Sequence, residues 1–216
     1  MNKAVVFVDV QNDFVSGKLG SETNVEIAKK IVEFAKKAKA AGCTLFATQD
    51  THGSDYKTTH EGKRLPVIHC IKSTTGWCLV DGMLYDDNGN EVVSTKNVFE
   101  KDSFGSTTLV GKLAVPDVRY ALASILAFDK YEVAKSISDP KFDEIIICGF
   151  VTDICVISNA ITMRSAMPNV DITIVRDLCN GTSEEAHNAA LTVAKSCHID
   201  VRTSDEVLQS FACDKV

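Results

Sequence analysis

The segment EIIICGFVTDICV (144–156) decides the fold class of this chain. Its first five residues form an isoleucine-rich run that predicts a buried β-strand, and Gly149 marks a tight turn into an apolar helix. A strand of continuous apolar character that leads into a helix is typical of a parallel sheet covered by helices. The segment therefore predicts an α/β fold.

The same alternation of strands and helices extends in both directions from this segment. Apolar β-rich runs and helical spacing predict strands at 3–8, 43–48, 91–95, 144–148, 171–175 and 200–202, and helices at 24–41, 118–136, 153–166 and 183–197. The run Thr182-Ser183-Glu184-Glu185 matches a capping box at the start of the last long helix. Because parallel strands need crossovers that cover both faces, we expect a three-layer α/β/α architecture. No linker-like stretch divides the chain, so we expect one domain over 1–216.

Composition narrows the class of partner. The chain has 23 Lys and Arg against 29 Asp and Glu, a formal charge of −6, which argues against nucleic acid and anionic membranes as partners. No export signal or 18-residue apolar run is found, and the eight cysteines contain no CxxC pair, which favours free thiols in the cytoplasm. We expect a small-molecule substrate, and homo-oligomer formation stays open.

We expect the functional site beyond the carboxyl ends of the strands, where ligands of open α/β sheets bind. Cys155 would lie in the first turn of the helix that follows the 144–148 strand. Unpaired backbone N–H groups and the helix dipole favour a thiolate at such a position, so we expect a lowered thiol pKa. The alternative is a buried core cysteine, since free cysteine is often buried.

Two further charged residues follow predicted strands. Asp9 ends an apolar run and is either a turn cap or a site carboxylate, whereas Lys101 is either a solvated side chain or a site cation. Lys96 is a second lysine near the same strand end.

A metal site is suggested by Asp50, His52, Glu61 and His69, which follow the second strand in an irregular segment, 51–90. Carboxylates and imidazoles at this spacing suit Zn²⁺, Fe²⁺ or Mn²⁺. A chance cluster of polar loop residues is the alternative, and His60 is a competing ligand. His187 and His198, on or after the last long helix, are interpreted as structural.

The motifs taken together resemble those of the isochorismatase-like cysteine hydrolases and, within them, the nicotinamidase (pyrazinamidase) branch. The resemblance covers nearly the whole chain through VFVDVQNDF (6–14), TQDTH (48–52), HEGKRLPVIHC (60–70), GW (76–77), EKDSFGS (100–106), CGFVTDICV (148–156) and VRDLCNGT (175–182). It implies a six-stranded parallel sheet of order 3-2-1-4-5-6. The segment at about 114–141 is longer than in many members.

The resemblance also implies the site. It assigns a catalytic triad to Asp9, Lys101 and Cys155, with Lys101 preferred to Lys96 because it stands shortly before an aromatic and a small residue. It implies a cis peptide at Phe150–Val151 and an oxyanion site at the N–H groups of Val151 and Cys155. The implied substrate pocket and metal site comprise Phe14, Trp77 and Phe104 as walls and Asp50, His52, His69 and Glu61 as ligands of one divalent ion.

The activity implied is hydrolysis of nicotinamide and pyrazinamide through a cysteine thioester, a reaction of NAD metabolism and pyridine nucleotide salvage. A metallohydrolase that uses metal-bound water is one alternative, although it would leave Cys155 without a role. The others are another small amide or ureide hydrolase, an isochorismatase, and a non-catalytic binding domain of the same fold. The last is disfavoured because all three triad residues are present.

Overall fold

A computed structural model describes residues 1–114 and 141–213 of the chain. Six parallel strands form one sheet in the order β3-β2-β1-β4-β5-β6. This arrangement confirms the predicted fold class and sheet order. The helix predicted at 118–136 lies outside the described residues.

The strands and helices have the following bounds. The strands are β1 Lys3–Val8, β2 Thr44–Asp50, β3 Val98–Lys101, β4 Glu144–Phe150, β5 Asp171–Asn180 and β6 Asp200–Arg202. The helices are α1 Asn12–Val15, α2 Glu22–Ala40, α3 Thr107–Ala114, α4 Ile157–Ala166, α5 Glu184–Ser196 and α6 Ser204–Cys213, and a π-helical turn, Thr152–Val156, leads directly into α4. Within the described residues, every helix is too short or too polar to cross a bilayer.

Helices cover both faces of the sheet. Helices α2 and α6 pack together on one face, and α3, α4 and α5 form a neighbouring set on the other. The strand β1 is buried along its whole length, which explains its uninterrupted apolar sequence. The chain runs outward from β1 to β2 and β3 in one direction and from β4 to β6 in the other, so the topological switch point lies between β1 and β4.

The third strand is not where the sequence predicts it. The β-rich run at 91–95 lies outside the sheet, and β3 begins at Val98. The backbone N–H groups of Val92 and Val93 instead donate to the carbonyls of Leu84 and Met83, at 2.7 and 3.0 Å. A nearby segment of the chain thus satisfies the backbone of this run, and local β propensity does not reveal which partner a strand chooses.

Gly149 is required by the close approach of β4 to β1. Its φ of +127° is a conformation that side chains with a Cβ rarely adopt, and a Cβ there would lie 2.1 Å from the carbonyl oxygen of Val8. This glycine therefore brings the ends of the two central strands together, immediately before the turn that carries Cys155.

Candidate active site

Four side chains from different strand ends meet beside the switch point. Asp9 follows β1, while Asp50 ends β2 and pairs in register with Lys101 at the end of β3. Cys155 lies in the π-helical turn after β4. Because the strands are parallel, their carboxyl ends share one edge of the sheet, and residues distant in sequence become neighbours there.

Lys101 is the centre of this cluster. Its Nζ lies 2.7 Å from Asp9 Oδ2, 3.6 Å from Cys155 Sγ and 3.4 Å from Asp50 Oδ1. All four residues are buried. Lys96, in contrast, is exposed in a short 3-10 turn. The structure therefore brings Lys101, and not Lys96, beside the sulfur.

Asp9 is held in an unusual backbone conformation. Its φ is +50°, which is uncommon for a residue other than glycine. The Thr48 hydroxyl accepts a hydrogen bond from the Asp9 N–H (3.2 Å) and donates one to Asp9 Oδ1 (2.7 Å), so one side chain orients both backbone and carboxylate. Burial raises the pKa of Asp9 above its ordinary value against the opposing charge of Lys101. A carboxyl group with a raised pKa is suited to accept and return a proton near neutral pH.

The pKa of Cys155 departs in the direction opposite to the expectation from the helix start. Burial raises the thiol pKa well above its ordinary value, and Asp9 raises it further, whereas Lys101 lowers it. The expectation of a lowered pKa is wrong because desolvation of the sulfur outweighs the favourable local charges. The resting group is therefore a thiol that needs a nearby base, and Asp9 is its neighbour, since Lys101 Nζ contacts both side chains.

Cys155 is flanked by a cis peptide bond before it and a buried asparagine after it. The Phe150–Val151 peptide bond is cis, at the position that the resemblance indicates. Further along, Asn159 Nδ2 donates to the Cys155 carbonyl (2.8 Å), and Asn159 Oδ1 accepts from the Ser106 N–H (3.0 Å). Sequence reasoning missed this fully buried asparagine, whose only signal is its spacing of four residues from Cys155.

Asp50, His52 and His69 form a compact group whose ligand atoms all lie within 4.8 Å of one another. Asp50 Oδ2 is 2.9 Å from His52 Nε2 and 3.3 Å from His69 Nε2. Glu61 Oε1 lies 3.7 Å from both imidazole nitrogens, at the more exposed side of the group. His60 is exposed, and no ion pair joins it to this group within the described residues.

The donor set fits a divalent cation. His52 Nε2 is buried and, within the described residues, has no hydrogen-bond partner despite its closeness to Asp50. The ring of His69 is oriented by a contact between Nδ1 and the Val67 carbonyl (2.9 Å), which leaves Nε2 for a ligand role. Two imidazole nitrogens that converge on carboxylate oxygens, one of them the unpartnered His52 Nε2, are the arrangement that a shared cation would hold.

Two polar residues that sequence reasoning missed support this group. Gln11 Oε1 accepts from the Asp50 N–H (2.7 Å) and its Nε2 donates to the Asp50 carbonyl (2.9 Å), so the side chain of Gln11 pairs with the β2 backbone. Asp13 Oδ2 accepts from the Cys70 N–H (2.8 Å), next to His69. Both belong to the motif at 6–14, but only the tertiary structure reveals their partners.

A cleft of about 530 Å³ connects the two groups. Phe14 and Phe104 line it together with Asp50, Glu61, His69, Val151 and Cys155. Trp77, expected as a wall, is not among the described residues that line the cleft. Its indole N–H donates to Thr51 Oγ1 (2.8 Å), because a half-buried indole needs a hydrogen-bond acceptor. Its backbone carbonyl accepts from Gln11 Nε2 (2.8 Å). Trp77 thus supports Gln11.

Comparison with protein families finds that the isochorismatase domain model matches residues 3–206. Comparison with curated protein sequences gives no match.

Solved structures share the fold. Nicotinamidase PncA from Bacillus subtilis is 24% identical with a TM-score of 0.67, over 94% of this chain and 99% of that one. The pyrazinamidase of Pyrococcus horikoshii, determined in complex with zinc, is 20% identical with a TM-score of 0.63, over 94% and 99%. N-carbamoylsarcosine amidase from Thermoplasma acidophilum is 16% identical with a TM-score of 0.62, over 95% and 98%. At these identities the likeness is one of fold.

Proposed function

We propose that this chain, which belongs to the isochorismatase family, is a hydrolase of the nicotinamidase type that converts nicotinamide and pyrazinamide to their acids and ammonia. The observation that carries the proposal is the meeting, in one cleft, of the Asp9–Lys101–Cys155 group with the Asp50–His52–His69 group. The first group offers a nucleophile with its base, and the second offers a cation site for a heterocyclic nitrogen. We take residues 1–216 as one domain.

Acylation begins with the thiol of Cys155. Asp9 takes its proton as the sulfur attacks the carboxamide carbon, and Lys101 stabilises the negative charge on both groups. The N–H groups of Val151 and Cys155 would bind the resulting oxyanion. The carbon–nitrogen bond then breaks, Asp9 returns the proton to the departing nitrogen, and ammonia and a thioester result.

Deacylation uses the same carboxylate. Asp9 takes a proton from a water molecule that attacks the thioester carbonyl, and the carbon–sulfur bond breaks to give the carboxylic acid. The proton returns from Asp9 to the sulfur of Cys155, so the resting thiol is regenerated. A raised pKa for Asp9 suits a group that carries a proton in both half-reactions.

Asp50, His52 and His69 would hold the divalent ion, with Glu61 as a fourth ligand, and zinc, iron and manganese all accept this set of nitrogen and oxygen atoms. When bound, the ion would supply a Lewis-acid contact for the pyridine nitrogen and so orient the ring. Phe14 and Phe104 would pack against that ring. The bonds that form and break are assigned to the chain's own residues.

The proposed reaction would belong to NAD metabolism, in pyridine nucleotide salvage. We propose the cytoplasm as its location, because buried cysteines such as Cys70, Cys148 and Cys179 are free thiols, as is usual in a reducing compartment. The proposed partner is the small amide substrate.

The substrate assignment is tested by ammonia release from nicotinamide, pyrazinamide and a ureide such as N-carbamoylsarcosine, with isochorismate hydrolysis measured beside them. We expect kcat/KM for nicotinamide and pyrazinamide to exceed that for the ureide by at least about 100-fold. The ureide has no heterocyclic nitrogen to contact the cation site, and a polar group left without its partner in a site costs several kcal/mol. The Cys155→Ala protein, purified identically, is the control for contaminating activity. Preferred turnover of the ureide or of isochorismate would reassign the substrate.

The role of Lys101 is tested by comparing Lys101→Ala with Lys96→Ala. Because Lys101 lowers the pKa of Cys155, its loss should move the pH midpoint of iodoacetamide inactivation upward and reduce kcat by about 10²-fold or more. Lys96 is exposed, so its replacement should change neither value. A larger shift from Lys96→Ala than from Lys101→Ala would contradict the assignment. Circular dichroism checks that the Lys101→Ala protein folds around the unpaired Asp9.

A further inference from the structure

The nucleophile turn, defined as Thr152–Val156, is π-helical rather than α-helical. A π-helical turn is rare, occurs mostly as a single turn and is frequent at functional sites. Side chains from elsewhere in the chain hold the first two residues of this one, Thr152 and Asp153. The position of Cys155 therefore depends on what holds the residues before it.

Thr152 opens this turn and is completely buried. Its Oγ1 lies 2.8 Å from Nδ1 of His187, on α5, and this is the one hydrogen bond that the hydroxyl makes within the described residues. A buried hydroxyl without a partner costs about 1–3 kcal/mol, so the position of the imidazole and that of the turn are coupled.

The neighbouring residue, Asp153, is held by the segment that directly precedes α5. Its carboxylate accepts hydrogen bonds from the N–H and the hydroxyl of Thr182, at 2.8 and 2.6 Å. Thr182 is therefore not the cap of α5, and Ser183 takes that role by accepting from the Ala186 N–H (3.1 Å). The capping box expected to begin at Thr182 is therefore wrong: the cap is Ser183, and the third residue after it, Ala186, has no side chain that could complete a box.

The backbone at Gly181 packs closely between α5 and the nucleophile turn. A Cβ on Gly181 would lie 2.8 Å from Asp153 Oδ1 and 2.9 Å from both the Cβ and the backbone nitrogen of His187. The first turn of α5 is seated directly against the turn that carries the nucleophile.

We propose that His187 is a positioning residue for Cys155, acting through its Nδ1 contact with the Thr152 hydroxyl. The proposal rests on Cys155 being the nucleophile of the proposed function. His187 lines a separate surface cleft rather than the one that contains Cys155, so its influence passes through the turn. A displacement of about 1 Å at a reacting group is enough to cost about 10²-fold in rate.

The electrostatic surroundings of His187 favour the neutral imidazole. Burial lowers its pKa below the ordinary value, with Arg176 acting in the same direction and Asp153 and Glu184 opposing them. A neutral ring can accept the Thr152 proton at Nδ1 or, in its other tautomer, donate its Nδ1–H to the hydroxyl oxygen. The contact therefore needs no charge on the ring.

The test compares two substitutions of His187 whose side-chain amide groups differ only in their distance from the backbone. His187→Asn places its amide where Nδ1 stands, and His187→Gln places it near the position of Nε2. We expect His187→Ala and His187→Gln to lower kcat for nicotinamide between about 10-fold and 100-fold with an unchanged KM, and His187→Asn to stay within about threefold of wild type. Asn188→Ala, on the exposed side of the same helix, is the control and should behave as wild type.

A double-mutant cycle identifies the contact through which His187 acts. Thr152→Val removes the hydroxyl at nearly constant volume and should cause the same loss as His187→Ala, and the double variant should be no worse than either single one. The rate of Cys155 alkylation by iodoacetamide should fall in the same variants. Alkylation needs no substrate, so it tests the positioning role even if nicotinamide is not the substrate.

Three results would overturn the proposal. One is a His187→Ala protein with a lowered Tm but wild-type kcat and alkylation rate, which would mean a structural role only. Another is an equal kcat for His187→Gln and His187→Asn. The third is a double variant whose fold-loss of kcat is the product of the two single fold-losses.

Discussion

Replacing Cys155 with alanine should reduce nicotinamide turnover by a factor of about 10⁴ or more, because the acyl-enzyme cannot form without the sulfur. The fold should survive, since the substitution removes one atom beside the cleft, and we expect a Tm within about 3 °C of wild type. The measurements are ammonia release, thermal unfolding and mass spectrometry of acid-quenched enzyme, which should detect the nicotinoyl adduct in the wild-type protein alone.

Two companion variants sharpen this experiment. Cys155→Ser should be nearly inactive, because Asp9 is a poor base for an alcohol. Cys179→Ala is the matched control: Cys179 is buried at the end of the neighbouring strand β5, and burial raises the pKa of its thiol to about 12. Its loss should leave kcat within about threefold of wild type. More than a few per cent residual activity in Cys155→Ala, above the level of contaminating enzyme, would contradict covalent catalysis by Cys155.

Removing the cation site should lower nicotinamide turnover by about 10²-fold or more, because the ring would lose the contact that orients it toward the sulfur. Both His52→Ala and treatment of the wild-type protein with a chelator should have this effect. Cys155 should remain alkylatable in each case, since the thiol chemistry belongs to Asp9 and Lys101. Elemental analysis should find a divalent ion in the wild-type protein and little in His52→Ala.

His60→Ala is the matched control for the cation site. His60 is an exposed imidazole adjacent to Glu61 in sequence, yet it stands outside the group formed by Asp50, His52 and His69. Its replacement should change neither metal content nor turnover. A wild-type protein without bound metal, or undiminished nicotinamide hydrolysis by His52→Ala, would favour a metal-free amidase or an isochorismatase-type activity.

Apolar patterning was enough to predict the class of fold and the edge of the sheet where the site lies. Uninterrupted apolar strands such as β1 and β4 record burial on both faces, and that burial requires helices on both sides. Asp9 and Asp50 follow the first two predicted strands and Lys101 follows the third, so their common location follows from parallel topology. The family motifs supplied the sheet order, which periodicity alone does not contain.

Strand pairing was decided by tertiary structure. The run at 91–95 has the composition of a sheet strand, but the backbone N–H groups of Val92 and Val93 are satisfied by the segment that contains Met83 and Leu84. The less apolar segment 98–101 completes the sheet beside β2. Composition measures how well a residue suits a strand, whereas the partner depends on which backbone the rest of the chain brings close.

The properties of the site also depended on tertiary structure. The helix start near Cys155 predicts a lowered thiol pKa, but burial of the sulfur reverses that direction. The partners of Gln11, Asn159 and His187 are equally invisible in the sequence, since a polar residue has the same letter whether it faces water or a buried backbone group. Periodicity records which face of a strand or helix is buried; desolvation and hydrogen-bond partners arise only when segments distant in sequence exclude water together.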